Sequence, residues 1–221
     1  EQGQNLVGVY DTRISKAGWG VAAAAKVLDM KCIVYQALPK GKDFPSQIYK
    51  AQELGAEIYP LPGGMLSIAF AHAQQNIKSR GGYMIPMGLY SSNSVQVVGK
   101  EAETVSEDYL QGALVVSVGS ATMIAGIIYG LKILPKIYGV SCGMSTKQQF
   151  NRVNNVLKHL NCRKDWENNI TFIGPEYGYY EQCNIEIPFP CSPYYDAKAW
   201  KWMLENFSSL KKPVLFWNIG Y

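Results

Sequence analysis

VVSVGSATMIAG, residues 115–126, changes character at its middle. The first four residues are a β-branched, mostly apolar run of the kind that fills a buried strand. Gly119 and Ser120 then break the run, and an apolar helical pattern begins. A strand, a turn of small residues and a helix N-terminus together can cradle a phosphate, because backbone amides and the helix dipole point the same way. No Gly-Lys-Ser/Thr follows, so this is not a Walker loop, and no clean G-x-G-x-x-G is present. The same stretch also reads as a tight strand–helix turn that binds nothing.

The strand–helix alternation continues in both directions. Strand-like runs are LVGVYD (6–11), KCIVYQA (31–37), AEIYPL (56–61), YMIPMG (83–88), LVVSVG (114–119), KIYGVSC (136–142), ITFIG (170–174) and VLFWNIG (214–220). Between them lie helical patterns at 18–29, 44–55, 65–80, 94–112, 123–134 and 146–161. Several strands are apolar throughout, as expected when helices cover both faces of a sheet. Regular alternation predicts an α/β fold with parallel sheets and right-handed crossovers. Small polar residues cluster in LYSSNSV (89–95), which predicts a boundary there. The expected organisation is a smaller α/β domain over 1–90 and a larger one over 91–221.

The chain has 221 residues, 48% hydrophobic and 17% charged, with a net charge of +4. This suits a protein with a sizeable core. The basic residues are scattered, so no nucleic-acid surface is indicated. No apolar run reaches the ~18 residues that span a bilayer, and residues 1–11 lack the pattern of a signal peptide. The five cysteines include no C-x-x-C pair, which speaks against a disulfide framework or a zinc site and for a reducing, cytoplasmic setting. His72 and His159 fall within helical patterns and suggest no acid–base constellation.

Three further stretches could carry chemistry. DTRISKAGWGVAAAAK (11–26) is a polar loop before an alanine-rich helix, which Ser15 or Asp11 would cap. GPEYGYYE (174–181) clusters tyrosines in a Gly/Pro loop, either as surface packing or as phenols in a cleft. PYYDAKAW (193–200) places Asp196 where a helix N-cap is expected.

In order and spacing, these segments resemble the fold type II, tryptophan-synthase-like pyridoxal-phosphate enzymes. The branch they look most like is the 1-aminocyclopropane-1-carboxylate deaminase and D-cysteine desulfhydrase family. SKAGWGVAAAAKVLDMKCIVY (15–35) resembles the family's Ser-Asn-His loop and its helix. YMIPMGLYSSNSVQVVGKEAETV (83–105) resembles the Pro-x-Gly passage into the second domain. GSATMIAGIIYGL (119–131) resembles the phosphate loop, and PEYG (175–178) a loop bearing an active-site tyrosine. YYDAKAW (194–200) and VLFWNIGY (214–221) resemble the closing segments, and these two are the most specific.

The resemblance implies two parallel-sheet α/β domains with a cleft between them, pyridoxal 5'-phosphate as cofactor, and a small amino-acid-like substrate. It implies a lyase or deaminase, cytoplasmic and homodimeric, with no membrane attachment. Gly119, Ser120, Ala121 and Thr122 would hold the phosphate. Asp196 would meet the pyridine nitrogen, Tyr177 and Tyr195 would lie near substrate and ring, and Ser15 would contact substrate. The sequence also departs from the pattern. Lys16 stands where an asparagine meets the cofactor's 3-oxygen, and Ala121, Thr122 and Met123 replace two glycines and a threonine. The family's Schiff-base lysine precedes the first strand, ahead of Glu1, so a missing N-terminal segment or a second chain is expected to supply it. Lys198 matches a different, helix-borne lysine. Two other readings stand beside the enzyme: a non-catalytic relative serving as a subunit or binding module, and an unrelated nucleotide-binding α/β protein.

Overall fold

A computed structural model describes residues 5–38, 40–41, 43–162 and 165–220. Tyr221, the end of the family-like closing segment, lies outside them. The chain divides into two compact units, Glu1–Leu89 and Tyr90–Tyr221.

In the first unit, strand β1 (Leu6–Asp11) is followed by α1 (Ala17–Val27), β2 (Lys31–Leu38), α2 (Ser46–Glu53), β3 (Glu57–Pro62), α3 (Leu66–Ser79) and the short β4 (Tyr83–Met84). The sheet is parallel in the order β3-β2-β1-β4. The pleat sends successive side chains to opposite faces. Val9 and Val34 therefore pack with Ala22 and Ala25 of α1 and Ile48 of α2, while Tyr10, Ile33 and Tyr35 pack with Ala69, Ala73 and Ile77 of α3.

The second unit repeats the plan with α4 (Ser92–Ala102), β5 (Ala113–Val118), α5 (Thr122–Gly130), β6 (Lys136–Ser141), α6 (Thr146–His159), β7 (Ile170–Ile173), α7 (Asp196–Asn206) and β8 (Val214–Trp217). Its parallel sheet has the order β7-β6-β5-β8. Every residue of β5 is buried. Leu114, Val116 and Val118 face the core built with α4, α5 and α6, and Ala113 and Val115 face Ala199 and Met203 of α7. The same alternation turns Ser117 toward α7.

Three elements depart from the sequence expectation. The run 83–88 is a strand only over Tyr83–Met84. Pro86 brings no amide to a ladder, and Gly88 turns the chain at φ 68°. The pattern 94–112 is two pieces, α4 and a 3-10 turn at Glu107–Gln111. Thr104 Oγ1 donates to the Glu101 carbonyl at the end of the first piece, and Ser106 Oγ accepts from Asp108 N to start the second. The pattern 123–134 ends early, at Gly130.

Helices α4 and α5 cross backbone to backbone. A Cβ on Gly130 would stand 2.0 Å from the Gly99 carbonyl oxygen, so no side chain fits. Gly130→Ala is expected to lower stability by about 1–3 kcal/mol, through the strain of an overpacked contact. Gly20→Ala is the control, because that α1 glycine has open space around it, and it should hold or raise stability by up to ~1 kcal/mol. Urea unfolding of both variants checks the pair.

Candidate active site

In an open parallel sheet, ligands bind beyond the carboxyl ends of the strands where the strand order reverses. Each unit has one such point. In the first it is β1, flanked by β2 and β4, and in the second it is β5, flanked by β6 and β8. The loops leaving them, 12–16 and 119–121, are the two that the sequence singled out.

At the second point, Gly119 and Ser120 lead into α5, and Ala121 sits at its N-cap with φ 70°. This left-handed conformation is one that glycine adopts without strain and alanine does not. The loop thus keeps a glycine-type turn although alanine occupies it. Ser120 Oγ and Thr122 Oγ1 are 3.0 Å apart. Gly119 lies against Tyr195, where an added Cβ would come within 3.1 Å of the ring.

Asp196 is the first residue of α7, and Tyr195 holds the N-cap position without a side-chain cap bond. The N-cap expectation for Asp196 is therefore corrected. Its carboxylate is 1% exposed and turns toward the sheet. It accepts from Ser117 Oγ at 2.8 Å and, at 3.5 Å, from the amides of Ser192 and Ile219. One side chain thereby joins β5, the segment before α7 and the turn after β8.

Tyr177 accepts from Lys201 Nζ at 2.7 Å, and Tyr179 and Tyr195 bring their hydroxyls to 3.1 Å. Lys198 is also 1% exposed, and its ammonium donates to the Gly178 carbonyl at 3.0 Å. Burial pulls the Lys198 pKa below the ordinary lysine value. Burial also pushes the Cys142 thiol, at the end of β6, up to about 12. A thiol at that value is no nucleophile near neutral pH.

At the first point, Ser15 Oγ accepts from Ala17 N at 3.1 Å, and Asp11 accepts from Gly18 N at 2.8 Å and Thr12 N at 3.0 Å. The N-cap residue of α1 is Lys16, which makes no side-chain cap bond, while Ser15 and Asp11 accept from two of the helix's first amides from outside it. Gly18 is required there, since a Cβ would fall 2.3 Å from Asp11 Oδ2.

The structure brings Gly119, Ser120, Ala121, Thr122, Tyr195 and Asp196 together around one end of β5, with Tyr177 on the neighbouring loop. Ser15 and Lys16 belong to the first unit. Sequence reasoning passed over Ser117 and the burial of Lys198, and took Tyr179 only as one of the tyrosines clustered at 174–181. The lone hydroxyl in the run LVVSVG was the available signal for Ser117.

The sequence profile described as Pyridoxal-phosphate dependent enzyme matches residues 2–163. The chain belongs to this family. Its cofactor is pyridoxal phosphate, and its fold is the type II fold of these enzymes. A Pseudomonas phage M6 protein named Glycyl-dTMP PLP-dependent decarboxylase is 31% identical over 231 residues, covering 98% of this chain and 82% of that protein. The crystal structure of an ACC deaminase homologue superposes with a TM-score of 0.77 at 20% identity, covering 99% of this chain and 74% of that one. Threonine deaminase from T.th. gives 0.69 at 17% identity, with 98% and 77% covered. No helix among the described residues is long and apolar enough to cross a membrane.

The residues present fit the cofactor. A buried carboxylate is costly unless a cation or good donors meet it. Asp196 is such a carboxylate: it accepts from the Ser117 hydroxyl and follows Tyr195, which borders Gly119 of the loop. A pyridinium N–H is a charge-assisted donor of the kind such a carboxylate favours. The α5 N-terminus behind a left-handed turn suits the phosphate dianion.

Asp11 makes a pH-dependent prediction. Burial pushes its carboxyl up to about 6, from an ordinary 3.8, against the opposing hydrogen bonds from Ser15, Gly18 and Thr12. The folded protein therefore holds this proton more tightly than the unfolded chain does. The stability linked to it is present below about pH 4 and is lost as the pH rises through about 6. Asp11→Asn has no proton to lose. It should gain on wild type by about 3 kcal/mol between pH 4 and 8, read from urea midpoints. A difference that stays flat with pH would mean that Asp11 is ionised throughout.

Proposed function

We propose that this chain is a pyridoxal-phosphate-dependent lyase, and that its reaction is decarboxylation of an α-amino-acid group carried on a thymidine nucleotide. The structural observation that carries the lyase reading is the buried Asp196 carboxylate, tied to Ser117 at the sheet's switch point. The choice of decarboxylation is supported by the name of the phage relative, whose sequence similarity runs through nearly all of this chain.

On this reading Gly119, Ser120, Ala121 and Thr122 bind the phosphate, and Asp196 holds the proton at the pyridine nitrogen. When bound, pyridoxal phosphate draws electrons from the amino-bearing carbon through its protonated ring. Ser117 and the Ser192 and Ile219 amides fix the carboxylate in its orientation. Tyr195 bears on the loop at Gly119, and Tyr177, hydrogen-bonded to Lys201, is a phenol available for proton transfer. Ser15 and Lys16 are the first unit's candidates for substrate and cofactor contact. A cytoplasmic homodimer is the expected setting.

Deamination is the second reading. It shares the electron withdrawal and differs in the bond that breaks. Incubating the pyridoxal-phosphate-loaded protein with glycyl-dTMP and measuring both gases separates them. Carbon dioxide without ammonia is expected. Ammonia would move the assignment to a deaminase, and neither product would support a binding module.

Asp196→Asn retains an oxygen for Ser117 but cannot hold the ring proton as strongly. It should fold normally and lose turnover by roughly 10- to 100-fold, the scale of one charge-assisted hydrogen bond. Asp196→Ala should lose the same activity and about 1–3 kcal/mol of stability as well, because Ser117 is left buried without this acceptor. Activity and melting temperature measured side by side check both.

A further inference from the structure

The loop after β7 presents its aromatic side chains on a firmly held backbone. The backbone of Gly178 is held at both ends: its N–H donates to Glu181 Oε2 at 2.9 Å, and its carbonyl accepts from the buried Lys198 at 3.0 Å. The next residue, Tyr179, lies on Gly143, where φ is 140° and a Cβ would come within 2.8 Å of the ring. The hydroxyl of Tyr179 meets that of Tyr195 at 3.1 Å. Its ring is edge-on to Tyr180, with centroids 4.9 Å apart and planes at 71°. Tyr195 in turn borders Gly119. Aromatic rings thus run without a break from the candidate phosphate loop outward to Tyr180, which is 56% exposed.

We propose that the exposed ring of Tyr180, buttressed edge-on by Tyr179, is a stacking shelf for the pyrimidine base of the substrate, so that the enzyme takes an amino acid attached to a pyrimidine nucleotide rather than a free amino acid. This rests on the reading of the preceding subsection and adds the element that recognises the carrier. Every base offers a π-face to an aromatic side chain, and that contact is worth a substantial part of binding. Tyrosine has few torsions to freeze, and a shelf ordered beforehand loses little entropy on binding. A free amino acid has no flat ring to place there.

Calorimetric titration of the pyridoxal-phosphate-loaded protein with dTMP, and with deoxyribose 5-phosphate as the base-free control, tests the shelf. Expected is dTMP binding at least tenfold tighter than the control. Tyr180→Ala should weaken dTMP by about tenfold, Tyr180→Phe should retain most of the affinity, and both should melt as wild type does. Equal affinity for the two probes, or for dTMP in wild type and Tyr180→Ala, overturns the proposal. The carbon dioxide assay is scored separately. Tyr180-dependent dTMP binding without carbon dioxide would keep the shelf and remove the decarboxylase. Carbon dioxide from glycyl-dTMP with an unchanged KM in Tyr180→Ala would keep the decarboxylase and remove the shelf.

Discussion

The hydrogen bond from Ser117 to Asp196 spans 79 positions of sequence and ties the buried centre of the second sheet to the first turn of α7. Its geometry follows from the pleat. Strand β5 alternates between two cores, and Ser117 falls on the side of α7, where every other inward residue of that strand is small or apolar. A hydroxyl at that place needs an acceptor, and a carboxylate buried opposite needs donors. Each makes the other tolerable. The turn after β8 and the segment before α7 are drawn in by the same carboxylate. Tyr195, next in the chain to Asp196, is thereby held beside Gly119.

The first unit solves a similar problem by other means. Asp11 ends β1, is fully buried, and organises the following loop by accepting from Thr12 and Gly18. Both switch points therefore have a buried aspartate, one closing a local turn and the other joining distant segments. The local one leaves the loop's backbone fixed while Ser15 and Lys16 stay partly exposed.

Much of this was legible in the sequence because the relevant physics is local. Continuous apolar runs marked the strands, and 3.6-residue patterns marked the helices between them. Local signals failed where contacts decide. YMIPMG has a strand's composition, yet Pro86 and Gly88 stop the ladder after Met84. SVQVVGKEAETVSEDYLQG has helical composition throughout, yet Thr104 and Ser106 divide it. Asp196 was visible as an acid at a helix start, which made it look like a cap. Its shortest described hydrogen bond comes from Ser117, 79 positions away, and no reading of residues 190–200 alone could find that partner. Lys198 was legible only as the match to a helix-borne lysine, because the Gly178 carbonyl that its ammonium meets lies 20 positions away in sequence.

The grip on Gly178 has an evolutionary consequence. Lys198 and Glu181 hold the backbone N–H and carbonyl of Gly178, not a side chain, so the course of the loop near Gly178 does not depend on the identity of residue 180. That exposed position can exchange its side chain while the backbone stays in register with α7. A lineage could thus change the exposed ring at position 180 by a single substitution, leaving the Ser117–Asp196 bond and the turn at Ala121 untouched. In this molecule, variation on an exposed loop is separated from the buried bond that joins β5 to α7.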